Sequence, residues 1–296
     1  MSGVSMSDDL AVKLQYVLPK QALTMLMGWL AGLRAGRWTT AAIRAFIRRY
    51  GVDMAEASAS EPAAYATFND FFTRALKPGA RPLAPVGLLC PVDGAVSQHG
   101  TMDGERLVQA KAHDYTATAL LGGDADLAAR LRGGHFATLY LSPKDYHRIH
   151  MPCAGRLRRM VHVPGDLFSV NPLTASAVPG LFARNERVVC VFEGLGGADG
   201  IDGTWVLVLV GATIVGSMAT VWHGLVNPPR PGRIRTWDYY GTDGPVLQRG
   251  DEMGRFLLGS TVVLMFPPQP GAALRFDPAW APGVPVRMGR PMATRG

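Results

Sequence analysis

The chain has 296 residues, of which 48% are hydrophobic and 18% charged, with 35 Gly and 22 Pro; this excludes a disordered chain and favours a strand-rich globular body over a helical bundle. Its formal net charge of +7 suits an anionic partner, either nucleic acid or a membrane surface. Seven basic side chains against only Asp8 and Asp9 fall within residues 1–52, beside apolar stripes, so an anionic membrane surface is expected and nucleic acid is not.

Taken in chain order, the first feature is the apolar segment of twelve residues from Ala22 to Leu33, too short for the roughly 20 that a membrane-spanning helix needs. Leu23, Leu26, Met27 and Leu30 recur at helical spacing, as do Ile43, Phe46, Ile47 and Tyr50, with Gly51 placed as a stop. Two amphipathic helices are therefore predicted, with Trp29 and Trp38 at headgroup depth. Asp8 and Asp9 precede the apolar stretch and no small-residue cleavage site follows it, so no signal peptide is read and a cytoplasmic location is expected.

Beyond an alanine-rich stretch at Ala55 to Ala66 the character changes to short strand-like runs. Phe136 to Leu141, Val188 to Phe192, Val206 to Val210 and Thr261 to Phe266 are read as strands, the last two as central ones, and Ala125 to Leu131 as a short helix. Cys90, Cys153 and Cys190 are odd in number, widely spaced and without a CxxC pair, which argues against a disulfide framework or a zinc knuckle and for a reducing compartment. The fold class expected is α+β: a strand-rich, mainly antiparallel body over residues 67–296 behind a helical, membrane-associating region over residues 1–66.

Chemistry is concentrated in three places. Leu258-Gly259-Ser260-Thr261 leads directly into a predicted strand. Such a step alone is an ordinary tight turn, yet Gly259 leaves its carbonyl open to attack and Ser260 sets a hydroxyl beside it, which permits an N-to-O acyl shift. A serine hydroxyl needs a base, and that base needs an orienting group. His147 and His150 lie three residues apart, and Asp93 sits in the turn Pro91-Val92-Asp93-Gly94. A zinc set of His147, His150 and Asp93 is the rival reading. Its spacing is unfavourable, because the segment follows a strand and contains Ser142-Pro143, so a shared helical face is not assured.

Six segments settle the reading. Phe68-Asn69-Asp70-Phe71-Phe72-Thr73-Arg74, Pro91-Val92-Asp93-Gly94 and Asp145-Tyr146-His147-Arg148-Ile149-His150-Met151-Pro152 are followed by Pro164-Gly165-Asp166-Leu167-Phe168-Ser169-Val170-Asn171-Pro172, Asn185-Glu186-Arg187 and Glu252-Met253-Gly254-Arg255-Phe256 running on to Thr261. In this order, over roughly residues 65–266, the chain resembles the bacterial phosphatidylserine decarboxylases. Arg249 stands where a lysine is expected, and the tail after Phe266 is long and proline-rich.

The resemblance implies a zymogen that cuts itself between Gly259 and Ser260 into a large chain, residues 1–259, and a small chain, residues 260–296, which stay associated. It implies that Asp93 orients His150, that His150 takes the proton of Ser260, and that the resulting ester eliminates to leave a covalent pyruvoyl group derived from Ser260. That group is expected to form a Schiff base with phosphatidylserine, releasing carbon dioxide and phosphatidylethanolamine. His147 is expected to protonate the substrate carbon. No metal is implied. The expected location is peripheral, on the cytoplasmic face of the cell membrane; a homodimer is compatible with the sequence, which does not fix the oligomeric state.

Overall fold

The computed structural model describes residues 14–110, 113–197, 199–213, 217–228, 230–257, 260–269, 271 and 273–296. Asp8, Asp9 and Lys13 of the basic N-terminal stretch lie outside the described residues, and so does Gly259.

Among the described residues, the longest apolar runs pair into one antiparallel sheet of nine strands. Its order is Arg235–Asp238, Gly155–Val163, Arg187–Gly194, Thr204–Val210, Ser260–Phe266, His135–Leu141, Gly94–Thr101 and Pro285–Val286, with Val246–Leu247 also pairing to Gly155–Val163. All seven residues of Ser260–Phe266 are buried, because neighbours flank it on both edges and cores cover both faces. Alternation sends Val263 and Met265, with Val206, Val208 and Val210 of the adjoining strand, into one core, and Val262, Leu264 and Phe266, with Trp205, Leu207 and Leu209, into the other. A strand buried on both faces reads as a continuous apolar run, which is why the two central strands were legible. Each fully buried side chain of this size contributes about 1.5–3 kcal/mol.

The first core is closed by helices. Arg37–Tyr50 buries Ile43 and ends at Gly51, whose left-handed backbone (φ 67°) lets its N–H bond the Ile47 carbonyl. Phe46 of this helix meets Phe68, Phe71 and Phe72 at ring distances of 5.1, 5.9 and 6.0 Å, so aromatic packing crosses the expected boundary between residues 66 and 67. Phe68–Phe72 is a short helix started by a capping box between Thr67 and Asp70. The second core is closed by smaller antiparallel sheets. One has the order Gly224–Asn227, Met218–Thr220, Glu252–Phe256, Arg148–His150, and another the order Leu88–Leu89, Pro291–Arg295, Leu274–Phe276. The α+β class, the antiparallel sheets and the helix Ala125–Leu131 agree with the sequence reading.

The helix Lys20–Ala31 buries only Thr24 and Ala31, while Met25, Leu26, Trp29 and Leu30 face outward. It is tied to the body through Lys20 and the helical residues 14–17 that precede it. The Ser169 N–H donates to Gln15 Oε1 at 2.8 Å, Tyr16 meets Phe168 edge-on at 5.0 Å, and Lys20 Nζ lies 3.7 Å from the Phe168 ring centre.

Candidate active site

Sheet register brings the chemistry to one edge. Tyr140 lies opposite both Ala95 and Thr261, and Leu141 lies opposite Ser260. The start of Gly94–Thr101, the end of His135–Leu141 and the start of Ser260–Phe266 therefore coincide. Asp93 immediately precedes the first of these strands, the loop from Ser142 to His147 follows the second, and Ser260 begins the third. Gly94 is required here, since a Cβ would meet the Tyr140 carbonyl oxygen at 2.2 Å.

Ser260 is fully buried and, among the described residues, its Oγ has no hydrogen-bond partner. Leaving a buried hydroxyl unsatisfied costs about 1–3 kcal/mol; Thr138 and Thr261 share this state, and of the three Ser260 is the one that directly follows a glycine in the sequence. Leu257, three residues earlier, is held by its N–H to the Ser217 carbonyl at 3.0 Å.

His147 is also fully buried. The loop that carries it is fixed by Asp145, whose Oδ2 accepts from the Ser142 N–H and from its hydroxyl, each at 2.7 Å. His147 Nδ1 stands 2.8 Å from the Asp145 carbonyl oxygen. A carbonyl only accepts, so Nδ1 carries the proton and Nε2, which has no partner, keeps its lone pair. Burial, aided by the charge of Arg74, pushes this imidazole down to about 3, so it is neutral. The Phe72 ring packs on it at 4.1 Å.

His150 ends the strand Arg148–His150. Its Nδ1 donates to the Gly250 carbonyl at 2.8 Å and its Nε2 accepts from the Tyr146 hydroxyl at 3.1 Å. Burial lowers its pKa, opposed by the Gly250 carbonyl and, more weakly, by the negative charges of Glu252 and Asp93.

Asp93 is not hydrogen-bonded to His150. Its carboxylate accepts from Arg81 Nε at 2.9 and 3.1 Å, from Arg81 Nη2, and from the Met288 N–H at 2.9 Å. Arg81 also binds Glu56, which in turn holds Arg287. Burial works against the Arg81 charge, but the bonds to Asp93 and Glu56 outweigh it and raise its pKa. The structure thus sets Asp93, the loop that carries His147 and Ser260 at one end of the nine-stranded sheet, keeps His150 on the smaller sheet, where its N–H donates to the Pro91 carbonyl, joins His150 to Tyr146 and Gly250, and joins Asp93 to Arg81. Sequence reasoning missed Tyr146, Arg81, Glu56 and the Met288 N–H. Tyr146 lay inside a recognised motif; the others carried no signal.

Two cavities bear on the site, the first of them at this end of the sheet. One, of about 530 Å³, is lined by Arg81, Asp93, Tyr140, Ser142 and Tyr146 among others. The second, of about 350 Å³, lies between the helix Lys20–Ala31 and residues Asn69, Ser217, Leu225, Arg230 and Leu257. Among the described residues no group of three or more His, Cys, Asp or Glu is arranged to hold a metal ion.

The family model described as phosphatidylserine decarboxylase matches residues 68–294, and a second, described as PSD, matches residues 10–51. Three relatives are each named phosphatidylserine decarboxylase proenzyme. The one from Delftia acidovorans is 67% identical over 290 residues, covering 98% of this chain and 99% of the relative. Those from Azoarcus sp. and Variovorax paradoxus are 66% and 65% identical over 288 residues, covering 97% of this chain and 96% and 98% of their own lengths.

Proposed function

The chain belongs to the phosphatidylserine decarboxylase family, and from that premise we propose that it is a carboxy-lyase proenzyme that cuts itself between Gly259 and Ser260 and then decarboxylates phosphatidylserine to phosphatidylethanolamine. The observation that carries the assignment is the fully buried Ser260 hydroxyl, without a hydrogen-bond partner among the described residues, at the head of the central strand and directly after Gly259, with Asp93 and the loop that carries His147 at the same end of the sheet.

In self-cleavage, Ser260 Oγ attacks the Gly259 carbonyl carbon while His150 Nε2 takes its proton. The C–N bond then breaks, the amine leaves with a proton from His150, and an ester joins the two chains. The Gly250 carbonyl keeps the far nitrogen of His150 protonated, so Nε2 is the basic position; the Tyr146 hydroxyl that now occupies it has to give way. Asp93 favours the imidazolium through its charge, without contact, from a position fixed by Arg81.

The ester then breaks by β-elimination, the Ser260 oxygen leaving with the new Gly259 carboxylate, and addition of water to the resulting dehydroalanine with loss of ammonia places a keto group at the Ser260 α-carbon. A pyruvoyl carbonyl there supplies the sink for the electrons of the bond to the departing carboxylate. His147 serves the substrate step: its neutral ring, fixed by the Asp145 carbonyl and Phe72, offers Nε2 alone for carrying a proton.

Among the described residues no helix is long and apolar enough to cross a membrane. The outward Met25, Leu26, Trp29 and Leu30 and the basic N-terminal stretch support peripheral binding to an anionic bilayer at the cytoplasmic face, where the substrate lies.

Intact-mass measurement and N-terminal sequencing of the purified protein test the proposal. The expected result is a large fragment and a small one of 37 residues, 260–296, whose N-terminus is blocked. A small fragment beginning with an unblocked serine would mean ordinary proteolysis and would overturn the pyruvoyl assignment.

A further inference from the structure

We propose that the cavity beneath the helix Lys20–Ala31 receives the phosphodiester of the lipid substrate, and that Arg230, aimed by the buried Glu186, is the residue that recognises it; this deepens the decarboxylase reading and rests on it. Three independent features meet in this cavity. Its outer wall is a lipid-facing surface, because Met25 and Trp29, 59% and 62% exposed, line it together with Leu225, 48% exposed. Its inner wall includes Leu257, and the three residues from there to Ser260 span at most about 11 Å. Its cationic wall is Arg230.

Arg230 is held from behind. Its Nε donates to Glu186 Oε2 at 2.8 Å, and the other carboxylate oxygen of Glu186 accepts from the fully buried His162 Nε2 at 2.8 Å. The backbone of Glu186 is locked as well, its N–H on the Asp166 carbonyl and its carbonyl on the Gly211 N–H, each at 2.8 Å. Beside it, Gly165 lies so close to Arg184 that a Cβ would meet the Arg184 carbonyl oxygen at 2.3 Å. The segments Pro164-Gly165-Asp166 and Asn185-Glu186-Arg187, which the cleavage chemistry leaves unexplained, therefore build the support of one arginine at a cavity wall. A guanidinium positioned this way matches a phosphodiester in shape and charge.

The substrate carries two anionic groups, and the reaction decides which one an arginine can hold. A carboxylate bound by a cation is stabilised before it leaves, and that stabilisation vanishes as carbon dioxide forms, so such a contact raises the barrier. A phosphodiester keeps its charge throughout, and binding it helps the ground and transition states alike. The phosphate is a few bonds from the amine, which suits a cation within reach of Leu257 and a reacting amine at Ser260.

The test compares the self-cleaved enzyme with Arg230→Gln and Arg230→Lys in detergent micelles. For phosphatidylserine, Arg230→Gln should raise KM by about tenfold or more, as expected for a lost charge-assisted contact, with a smaller change in kcat and partial recovery in Arg230→Lys. On a lipid serine ether lacking phosphate, the three proteins should share one kcat/KM. A fall in kcat at constant KM, or an equal loss on both lipids, overturns the proposal.

A second arm needs only the unaltered enzyme, and it decides the matter if Arg230→Gln fails to fold or the phosphate-free lipid turns over too slowly. Phosphatidylmethanol, which has the phosphodiester and no amine, should compete with phosphatidylserine, while diacylglycerol should not. Equal inhibition by the two lipids, or inhibition by inorganic phosphate alone, overturns the proposal. Failure of the unaltered enzyme to cleave itself or to decarboxylate would instead defeat the underlying reading.

Discussion

Arg81 grips Asp93 through two guanidinium nitrogens, with Nε 2.9 and 3.1 Å from the carboxylate oxygens, so the aspartate that the sequence pairs with His150 is anchored to an arginine instead. Both side chains are largely buried, at 7% and 11% exposure.

Removing the cation should therefore strand a buried carboxylate. Arg81→Met is expected to destabilise the precursor by about 3–5 kcal/mol and to slow self-cleavage, followed as loss of full-length chain on gels after synthesis. Faster cleavage in the variant would instead make Arg81 a restraint on Asp93.

The two histidines should separate by function. His150→Ala is expected to leave the chain uncut, because the His150 N–H is bonded to the Pro91 carbonyl, two residues from Asp93, and its imidazole feels the Asp93 charge, whereas burial holds His147 neutral. His147→Ala should still cut, at least in part, and decarboxylate at least about a hundredfold more slowly. Mass spectrometry reads the first and carbon dioxide release the second; a reversed pattern would exchange the roles.

Acid should act on the fold through His147. Its folded pKa of about 3 lies below the ordinary 6.5, so as pH falls through 6.5 the unfolded chain takes up a proton that the folded chain refuses. The stability tied to the neutral ring is complete above pH 6.5 and erodes at up to about 1.4 kcal/mol per pH unit below it. His147→Asn, which keeps a donor toward the Asp145 carbonyl, should show a melting temperature that falls less between pH 6.5 and 4. Parallel profiles for the two proteins would contradict this.

The sequence revealed strands wherever burial on both faces produced unbroken apolar runs, as in Val206 to Val210 and Thr261 to Phe266. It concealed Gly94–Thr101 and Gly155–Val163, each of which carries a register shift, between Val96 and Gln98 and between Leu157 and Arg159. A shift of this kind breaks the two-residue alternation by which a half-exposed strand is read. The proposed reacting residues Asp93, His147, His150 and Ser260 were legible because each sits in a short motif. Their partners were not, because spacing along the chain does not fix side-chain direction, and the Met288 N–H reaches Asp93 across 195 residues.

Peripheral attachment should depend on the outward face of the helix Lys20–Ala31. Replacing Leu26 and Trp29, 51% and 62% exposed, by glutamate removes apolar burial and adds charge repulsion, and is expected to cut co-sedimentation with anionic vesicles by at least about tenfold. Self-cleavage should proceed as before, since neither side chain lies in the core. Undiminished sedimentation would locate the attachment elsewhere.

With the cut proposed between Gly259 and Ser260, the strand Ser260–Phe266, wedged between Thr204–Val210 and His135–Leu141, gives the molecule an irreversible history. While Gly259 and Ser260 are joined, the strand reaches its slot as part of one chain; after the cut, the same insertion becomes a meeting of two molecules and depends on their concentration. Folding has to come first and cutting second. The mature enzyme is then kept together by the slowness of its unfolding rather than by an equilibrium it could regain. Heated and cooled at low concentration, it should stay inactive and split into its two chains, whereas an uncut Ser260→Ala precursor treated in the same way should recover its circular dichroism spectrum.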